Sequence, residues 1–170
     1  EKSLQINAKQ LGYIFSAFGW SYAVAQIPGG FALDRFGAKL VYALALIFWS
    51  LFTLAQGFAG LLIGAAAVSF LFAMRFVVGL ASAPGVPANA RIVANWFPTS
   101  ERGTASAIFN ATQYFALVAF NPILAVIVHN MGWPASFFFM GGLGFIAAIA
   151  FVRFMHGPTS HPLINKAEFD

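Results

Sequence analysis

The 170-residue sequence contains no cysteine, which excludes disulfide bonds, thiolate catalysis and cysteine-ligated metal sites. Charge is also scarce, because only 8% of the residues are Asp, Glu, Lys or Arg, against about 25% in soluble domains. The net charge of +4 comes from basic residues spread singly along the chain, a pattern that does not indicate a nucleic-acid-binding surface. The sequence also lacks a phosphate-binding glycine loop and a nucleophile elbow, so it does not predict an enzyme.

Hydrophobic residues amount to 60% of the chain, with 21 phenylalanines among them. A soluble fold of this length could not bury so much apolar surface, so the composition predicts an all-α bundle that uses the bilayer as its solvent. Five stretches are apolar enough to span a membrane as helices, with approximate bounds 11–33, 40–56, 61–94, 104–129 and 134–155. The third is longer than a straight span requires, so we expect it to tilt or bend near Pro84 and Pro87.

The basic residues give the expected orientation, because short cytoplasmic loops are enriched in Lys and Arg. The loops and ends assigned to the cytoplasmic side hold Arg35, Lys39, Arg91, Arg102, Arg153 and Lys166. The opposite side holds only Lys2 and Lys9. The pattern therefore predicts an extracytoplasmic segment at 1–10, a transmembrane bundle at 11–155 and a cytoplasmic tail at 156–170. An odd number of spans that begins outside also predicts a preceding helix, so that this chain would be a fragment.

Arg75 is the most informative single residue, because it lies well inside the apolar run 69–78. An arginine at the centre of a span costs about 3 kcal/mol on insertion scales, and neither helix end is close enough for snorkelling to relieve that cost. None of the five acidic residues lies within a predicted span. We therefore expect its partner to be an anionic ligand, a carboxylate on another segment or backbone carbonyls. The alternative is a structural arginine paired with another side chain; we favour a ligand or coupling role.

Polar side chains inside two other spans strengthen this expectation. Asn110, Gln113 and Asn121 fall on one face of the fourth span, where they should face other helices or a water-filled cavity. Interhelical hydrogen bonding explains such a stripe equally well. In the first span, Tyr22 lies near the middle, where the role of an interfacial anchor fits poorly, and Gln26 follows one turn later.

A charged motif, GFALDRFGAK, occupies residues 30–39 between the first two spans. Its pattern G-x-x-x-D-R-x-G-x-K/R resembles the loop between the second and third helices of the major facilitator superfamily. The matching residues are Gly30, Asp34, Arg35, Gly37 and Lys39. Asp34 follows a helix C-terminus, whose dipole disfavours an anion, so it should serve another helix end or a nearby arginine. In the family this motif helps to hold the two transporter halves together in one gating state.

Further segments narrow the resemblance. Residues 75–79 resemble the fourth-helix arginine motif of the superfamily. Residues 88–98, 101–105 and 108–115 resemble the anion:cation symporter family, with bacterial glucarate/galactarate permeases the most similar. The resemblance covers essentially the whole chain. It implies that the five spans are helices two to six of a twelve-helix transporter of the bacterial inner membrane, whose first helix and C-terminal half are missing here.

Ser82 departs from the family pattern, because many relatives have a glutamate at this position, where it is a candidate for proton coupling. Serine does not titrate in the useful range. A carboxylate on the missing first helix would then have to carry the coupling proton.

The resemblance implies a secondary transporter that moves a sugar-acid anion together with H⁺ by alternating access. Arg75 would hold the substrate carboxylate, while Tyr22, Gln113 and Asn110 would complete the substrate-binding site. The alternative is a membrane interaction or scaffold protein that keeps the fold but transports nothing, in which Arg75 is structural. The expected partners are a small organic anion, H⁺ and the lipid bilayer, with no nucleic acid, metal or cofactor.

Overall fold

The computed structural model describes residues 8–155, and within that range the chain is helical, without a strand. The helices are α1 (Ala8–Phe36), α2 (Ala38–Gly57), α3 (Ala65–Ser82), α4 (Gly85–Trp96), α5 (Arg102–Met131) and α6 (Trp133–Phe154). A short 3₁₀ helix, Phe58–Leu61, follows α2 directly, where the sequence indicated a plain loop. The helical content of residues 8–155 confirms the prediction of an all-α bundle. The expected segment at 1–10 and the expected tail at 156–170 lie largely outside the described residues.

Four helical segments are long and apolar enough to cross a membrane: Ala38–Leu61, Ala65–Trp96, Arg102–Met131 and Trp133–Phe154. Helix α1 is not one of them, although its 29 residues exceed the length that a span requires. The first predicted span is therefore the most polar of the five. Its Ser21 is buried against a neighbouring helix, so part of this polarity serves helix packing.

Helix α1 extends further than the sequence indicated. Asp34 and Arg35 lie in its last turn and not in a loop, and Gly37 alone separates α1 from α2. The Gly37 amide donates a hydrogen bond to the Leu33 carbonyl at 3.0 Å, and its φ of 82° is the left-handed conformation that favours glycine. The Gly37 amide thus makes the last hydrogen bond of α1, and its positive φ turns the chain into α2.

The third predicted span is two helices, α3 and α4, with a break at Ala83 and Pro84. Pro84 has no amide hydrogen to donate, so the α-helical ladder cannot run through it unchanged. The chain turns instead, with the Ala83 amide bonded to the Leu80 carbonyl, and α4 starts when the Ala88 amide binds the Pro84 carbonyl at 3.0 Å. Pro87 lies in the first turn of α4, where an amide has no helical acceptor in any case.

Small residues bring α1 and α3 into close, parallel contact. A Cβ on Gly79 of α3 would lie 2.6 Å from the Phe18 carbonyl oxygen and would overlap the Ser21 hydroxyl, and one on Gly29 would lie 3.2 Å from the Pro84 ring. Residue numbers rise together in both helices, so the two run in the same direction. Close approach through small residues is how membrane helices gain packing energy when lipid is as apolar as their side chains.

Helices α2 and α6 pack antiparallel by the same device. A Cβ on Gly141 would lie 2.8 Å from the Leu54 amide and 2.9 Å from the Ser50 carbonyl, and one on Gly57 would strike the Phe138 ring at 2.7 Å. Helix α5 differs from both pairs, because none of its residues is buried within the described part of the chain.

We expect Gly141→Ala to destabilise the bundle and Gly142→Ala to leave it unchanged or slightly more stable. Overpacking against the α2 backbone at position 141 should cost about 1–3 kcal/mol, whereas a Cβ on Gly142 meets no atom within 4 Å. Alanine has the higher helix propensity, by about 1 kcal/mol, at both positions. Thermal unfolding in detergent measures the difference, and equal melting temperatures for the two variants would contradict the close α2–α6 packing.

Candidate functional site

Arg75 lies in the middle of α3 and is half-buried between two phenylalanine rings from other helices. Its guanidinium carbon is 5.7 Å from the centroid of the Phe15 ring on α1 and 5.9 Å from that of the Phe137 ring on α6. Within residues 8–155, the guanidinium has neither a carboxylate partner nor a hydrogen-bond acceptor. Within residues 8–155 the contacts of the guanidinium are with aromatic faces and not with backbone carbonyls. An anionic ligand and a carboxylate on another segment stay predictions.

These two contacts account for much of the cost of placing Arg75 in an apolar bundle. A cation–π contact contributes about 0.5–1 kcal/mol at an exposed site and about 2 kcal/mol when desolvated. Two such contacts approach the roughly 3 kcal/mol that an arginine costs at the centre of a span. Within residues 8–155 the two rings, and no acidic side chain, are in contact with the charge.

Because α1 and α3 pack in parallel, a second group of site residues lies two helical turns further along both helices than Phe15 and Arg75. Phe15 and Tyr22 are seven residues apart on α1, and Arg75 and Ser82 are seven residues apart on α3, about two helical turns in each case. Residues at this spacing lie on one helix face. Tyr22 and Ser82 accordingly line the same cavity, and the Tyr22 ring is stacked on Phe18 at a centroid distance of 5.7 Å.

A cavity of about 440 Å³ lies beside this second group of residues. Its polar or partly polar lining side chains are Tyr22, Tyr42, Trp49, Ser82, Asn89 and Gln113. Ser82 donates its hydroxyl proton to the Val78 carbonyl at 2.7 Å, which leaves its oxygen free to accept. Tyr22 and Gln113, two of the predicted substrate-binding residues, both line this cavity. Arg75 does not line it and lies two turns away from Ser82 along α3.

Asn110 lines an adjoining cavity of about 210 Å³ between α4 and α5. The two cavities share four lining residues, Val86, Asn89, Phe109 and Gln113, so they adjoin each other. The sequence analysis did not single out Asn89 or the neighbouring Ser106. The sequence predicted a bend near Pro84, but it could not give the rotation of α4 beyond the bend, which decides that Asn89 and Ser106 line this cavity.

The charged motif lies at the opposite end of α1 from Phe15. Asp34 accepts a hydrogen bond from Arg91 of α4 at 2.5 Å, which is one of the two partners expected for it. The Asp34 side chain is 73% exposed, so this ion pair contributes less than about 1 kcal/mol to stability. Gly37 makes the helix stop described above, and Lys39 lines an apolar groove at this end. A Cβ on Gly30 would meet no atom within 4 Å.

Arg102 fixes α4 to α5 at the same end. Its guanidinium donates to the Ala94 carbonyl at 2.8 Å and to the Phe97 carbonyl at 3.1 Å. Carbonyls at a helix C-terminus lack internal partners and carry negative partial charge, so a cation stabilises them. With the Asp34–Arg91 pair, this contact joins the ends of α1, α4 and α5.

The family of the chain follows from comparison with known proteins. The family model described as the Major Facilitator Superfamily matches residues 1–170. The chain belongs to the major facilitator superfamily. The resemblance noted at residues 30–39 and 75–79 is thereby confirmed, and with the apolar helices it makes this an integral membrane protein.

Several superfamily members resemble the chain closely. The probable galactarate/D-glucarate transporter GudP of Escherichia coli (strain K12) is 50% identical over 99% of this chain. The probable galactarate/D-glucarate transporter GarP of the same strain is 52% identical over 98% of it. The D-galactonate transporter of Escherichia coli O6:H1 is 36% identical over 100% of it. These three proteins are named transporters and not enzymes, and the chain spans 38% of the length of each.

We expect a cysteine at position 82 of this superfamily member to react with a small water-soluble methanethiosulfonate. Ser82 lines the larger cavity, whereas the adjacent Ala83 is fully buried. The chain has no native cysteine, so Ser82→Cys should react at least about tenfold faster than Ala83→Cys because thiol reactivity follows exposure. Equal labelling rates would show that water does not reach the cavity.

Proposed function

We propose that this chain is the N-terminal part of a secondary active transporter that carries a sugar acid such as glucarate or galactarate across the membrane. The coupling ion is H⁺ in symport, and the mechanism is alternating access. The observation that carries the proposal is Arg75, a membrane-embedded cation held by aromatic rings instead of a carboxylate. Intramembrane ionisable residues mark substrate or ion pathways far more often than they serve packing.

An organic acid suits the chemistry of this site. A guanidinium presents a planar pair of N–H donors that matches a carboxylate in a bidentate hydrogen bond. Tyr22 and Gln113 beside the larger cavity, and Asn110 and Asn89 beside the smaller one, offer donors and acceptors that suit the hydroxyls of a sugar acid. The relatives named for galactarate, D-glucarate and D-galactonate support this class of substrate.

The coupling proton would not bind at position 82, because a serine hydroxyl bonded to the Val78 carbonyl has no accessible titration. No acidic residue lies near Arg75 within residues 8–155, where Asp34 and Glu101 are the carboxylates. The proton carrier is therefore proposed to be a carboxylate on the segment that precedes this chain in the full-length transporter.

The charged motif is proposed to stabilise one gating state. Its residues Gly30, Asp34, Arg35, Gly37 and Lys39 lie at the turn between α1 and α2, and Asp34 also contacts α4 through Arg91. A pair that is worth little to stability yet links two helices can break and re-form at low cost during rocking of the bundles. The missing first helix would complete this bundle, and the C-terminal half would form the second bundle.

We propose that the protein lies in a bacterial inner membrane with the N-terminus of the chain outside and its C-terminus in the cytoplasm. The charge asymmetry of the loops supports this. We expect Lys39→Cys to be labelled by an impermeant thiol reagent only after the membrane is permeabilised, and Ile63→Cys, whose native side chain is 74% exposed, to be labelled in intact cells. The reverse pattern would overturn the orientation.

The function is tested by uptake of labelled glucarate into proteoliposomes that contain the full-length transporter. An imposed inward proton gradient should drive saturable uptake, and a protonophore should abolish it. Saturable uptake by the full-length protein that the protonophore does not reduce would argue against H⁺ coupling. No saturable uptake of any sugar acid would favour the scaffold alternative.

Arg75→Lys should reduce glucarate affinity by at least about a hundredfold, because lysine keeps the charge but loses the bidentate fork. Arg75→Ala should do at least as badly. Arg153→Lys makes the same chemical change at the exposed end of α6 and serves as the control. Isothermal calorimetry or uptake kinetics measures the change, and normal affinity in Arg75→Lys would remove the main support for an anionic substrate.

A further inference from the structure

We propose, on the basis of the proposed function, that Phe15 and Phe137 are positioning residues for Arg75. Their rings hold its guanidinium by cation–π contact and so present its N–H donors to the substrate carboxylate. The supporting geometry is the pair of centroid distances, 5.7 Å to Phe15 and 5.9 Å to Phe137. Helix α6 thereby contributes to the site, although the sequence marked no residue of this helix as functional.

The type of partner decides what Arg75 can do. A carboxylate within the chain would occupy the N–H donors in a bidentate hydrogen bond and would compete with an anionic substrate for them. An aromatic ring instead attracts the cation through its negative face and uses no hydrogen-bond donor. Arginine carries N–H donors on all three of its guanidinium nitrogens. A guanidinium that is held by aromatic rings therefore keeps these donors available for a substrate.

The two rings are not equivalent. Phe137 is half-buried and makes an edge-to-face contact with Trp133, at 5.9 Å between centroids and 87° between planes. Trp133 in turn packs on the buried cluster of Ile14, Ala59 and Leu71. Phe15 is 57% exposed. The fixed ring is therefore Phe137, and changes there should affect Arg75 more than the same changes at Phe15.

Packing and electrostatics are separated by fluorination, which keeps the size of a ring nearly constant while it withdraws charge from the face. Mono-, di- and trifluorinated phenylalanine would be placed at position 137 of the full-length transporter by nonsense suppression. Phe139, on the same helix and without a cation or ring contact within the described residues, is the matched control. The readouts are kcat and KM for glucarate uptake and the melting temperature.

If the rings position Arg75, KM should rise stepwise with each fluorine, to roughly five- to tenfold at three, the change expected from loss of one partly desolvated cation–π contact. The value of kcat should stay within about twofold, because a contact that only positions the guanidinium for binding weakens ground-state and transition-state binding alike. Phe137→Trp should preserve KM and Phe137→Leu should raise it. A KM that is unchanged or lower across the fluorinated series would overturn the proposal.

A double-mutant cycle of melting temperatures tests the ring–guanidinium contact without any substrate. Fluorination at position 137 should lower the melting temperature when Arg75 is present and have little effect in an Arg75→Met background. If the wild-type transporter takes up no sugar acid, the proposed function fails while the cycle still reports the ring–guanidinium contact. Equal effects of fluorination in both backgrounds would show that Phe137 only packs, whatever the substrate.

Discussion

A single positive charge in an apolar bundle constrains the arrangement of the other groups at this site. Arg75 sits within α3, and within residues 8–155 it has no acidic partner. The faces of Phe15 and Phe137 contact its charge from two different helices. In a chain with 21 phenylalanines and few charged residues, aromatic faces are the most abundant electron-rich groups available at mid-helix. The same solution leaves the guanidinium able to bind an anion.

The position of Phe15 depends on how closely α1 and α3 approach. Gly79 admits the Phe18 carbonyl and the Ser21 hydroxyl at distances that any larger residue would prevent. That contact sets the register, and the register places Phe15 beside Arg75 and Tyr22 beside Ser82 two turns later. Helix α6 is held equally closely to α2 through Gly141 and Gly144, which fixes Phe137. Small residues without polar side chains thus determine the geometry of the site.

The packing of α4 and α5, which line the two adjoining cavities, differs from that of the other helices. The break at Ala83 and Pro84 lets α4 take its own rotation, and Asn89 of α4 lines the same cavity as Gln113 of α5. Arg91 and Arg102 then tie the far end of α4 to α1 and α5. No residue of α5 is buried within the described residues, and its Asn110 and Gln113 line cavities. Two tightly packed helix pairs, α1–α3 and α2–α6, therefore stand beside the less buried helix α5.

Composition and helix length were enough to establish from the sequence that the chain is an all-α membrane bundle, because burial in lipid demands long apolar helices whatever their neighbours. The sequence also showed that Arg75, Tyr22 and Gln113 are unusual inside membrane spans, since burying a polar group in an apolar span costs free energy. The sequence could not name the partners of Arg75, because Phe15 and Phe137 lie 60 and 62 positions away along the chain and aromatic residues occur throughout it. Nor could it show that Arg75 lies outside the cavity that holds Tyr22 and Gln113. Only the register between helices decides that, and register depends on close contacts between small residues that hydrophobic periodicity does not record.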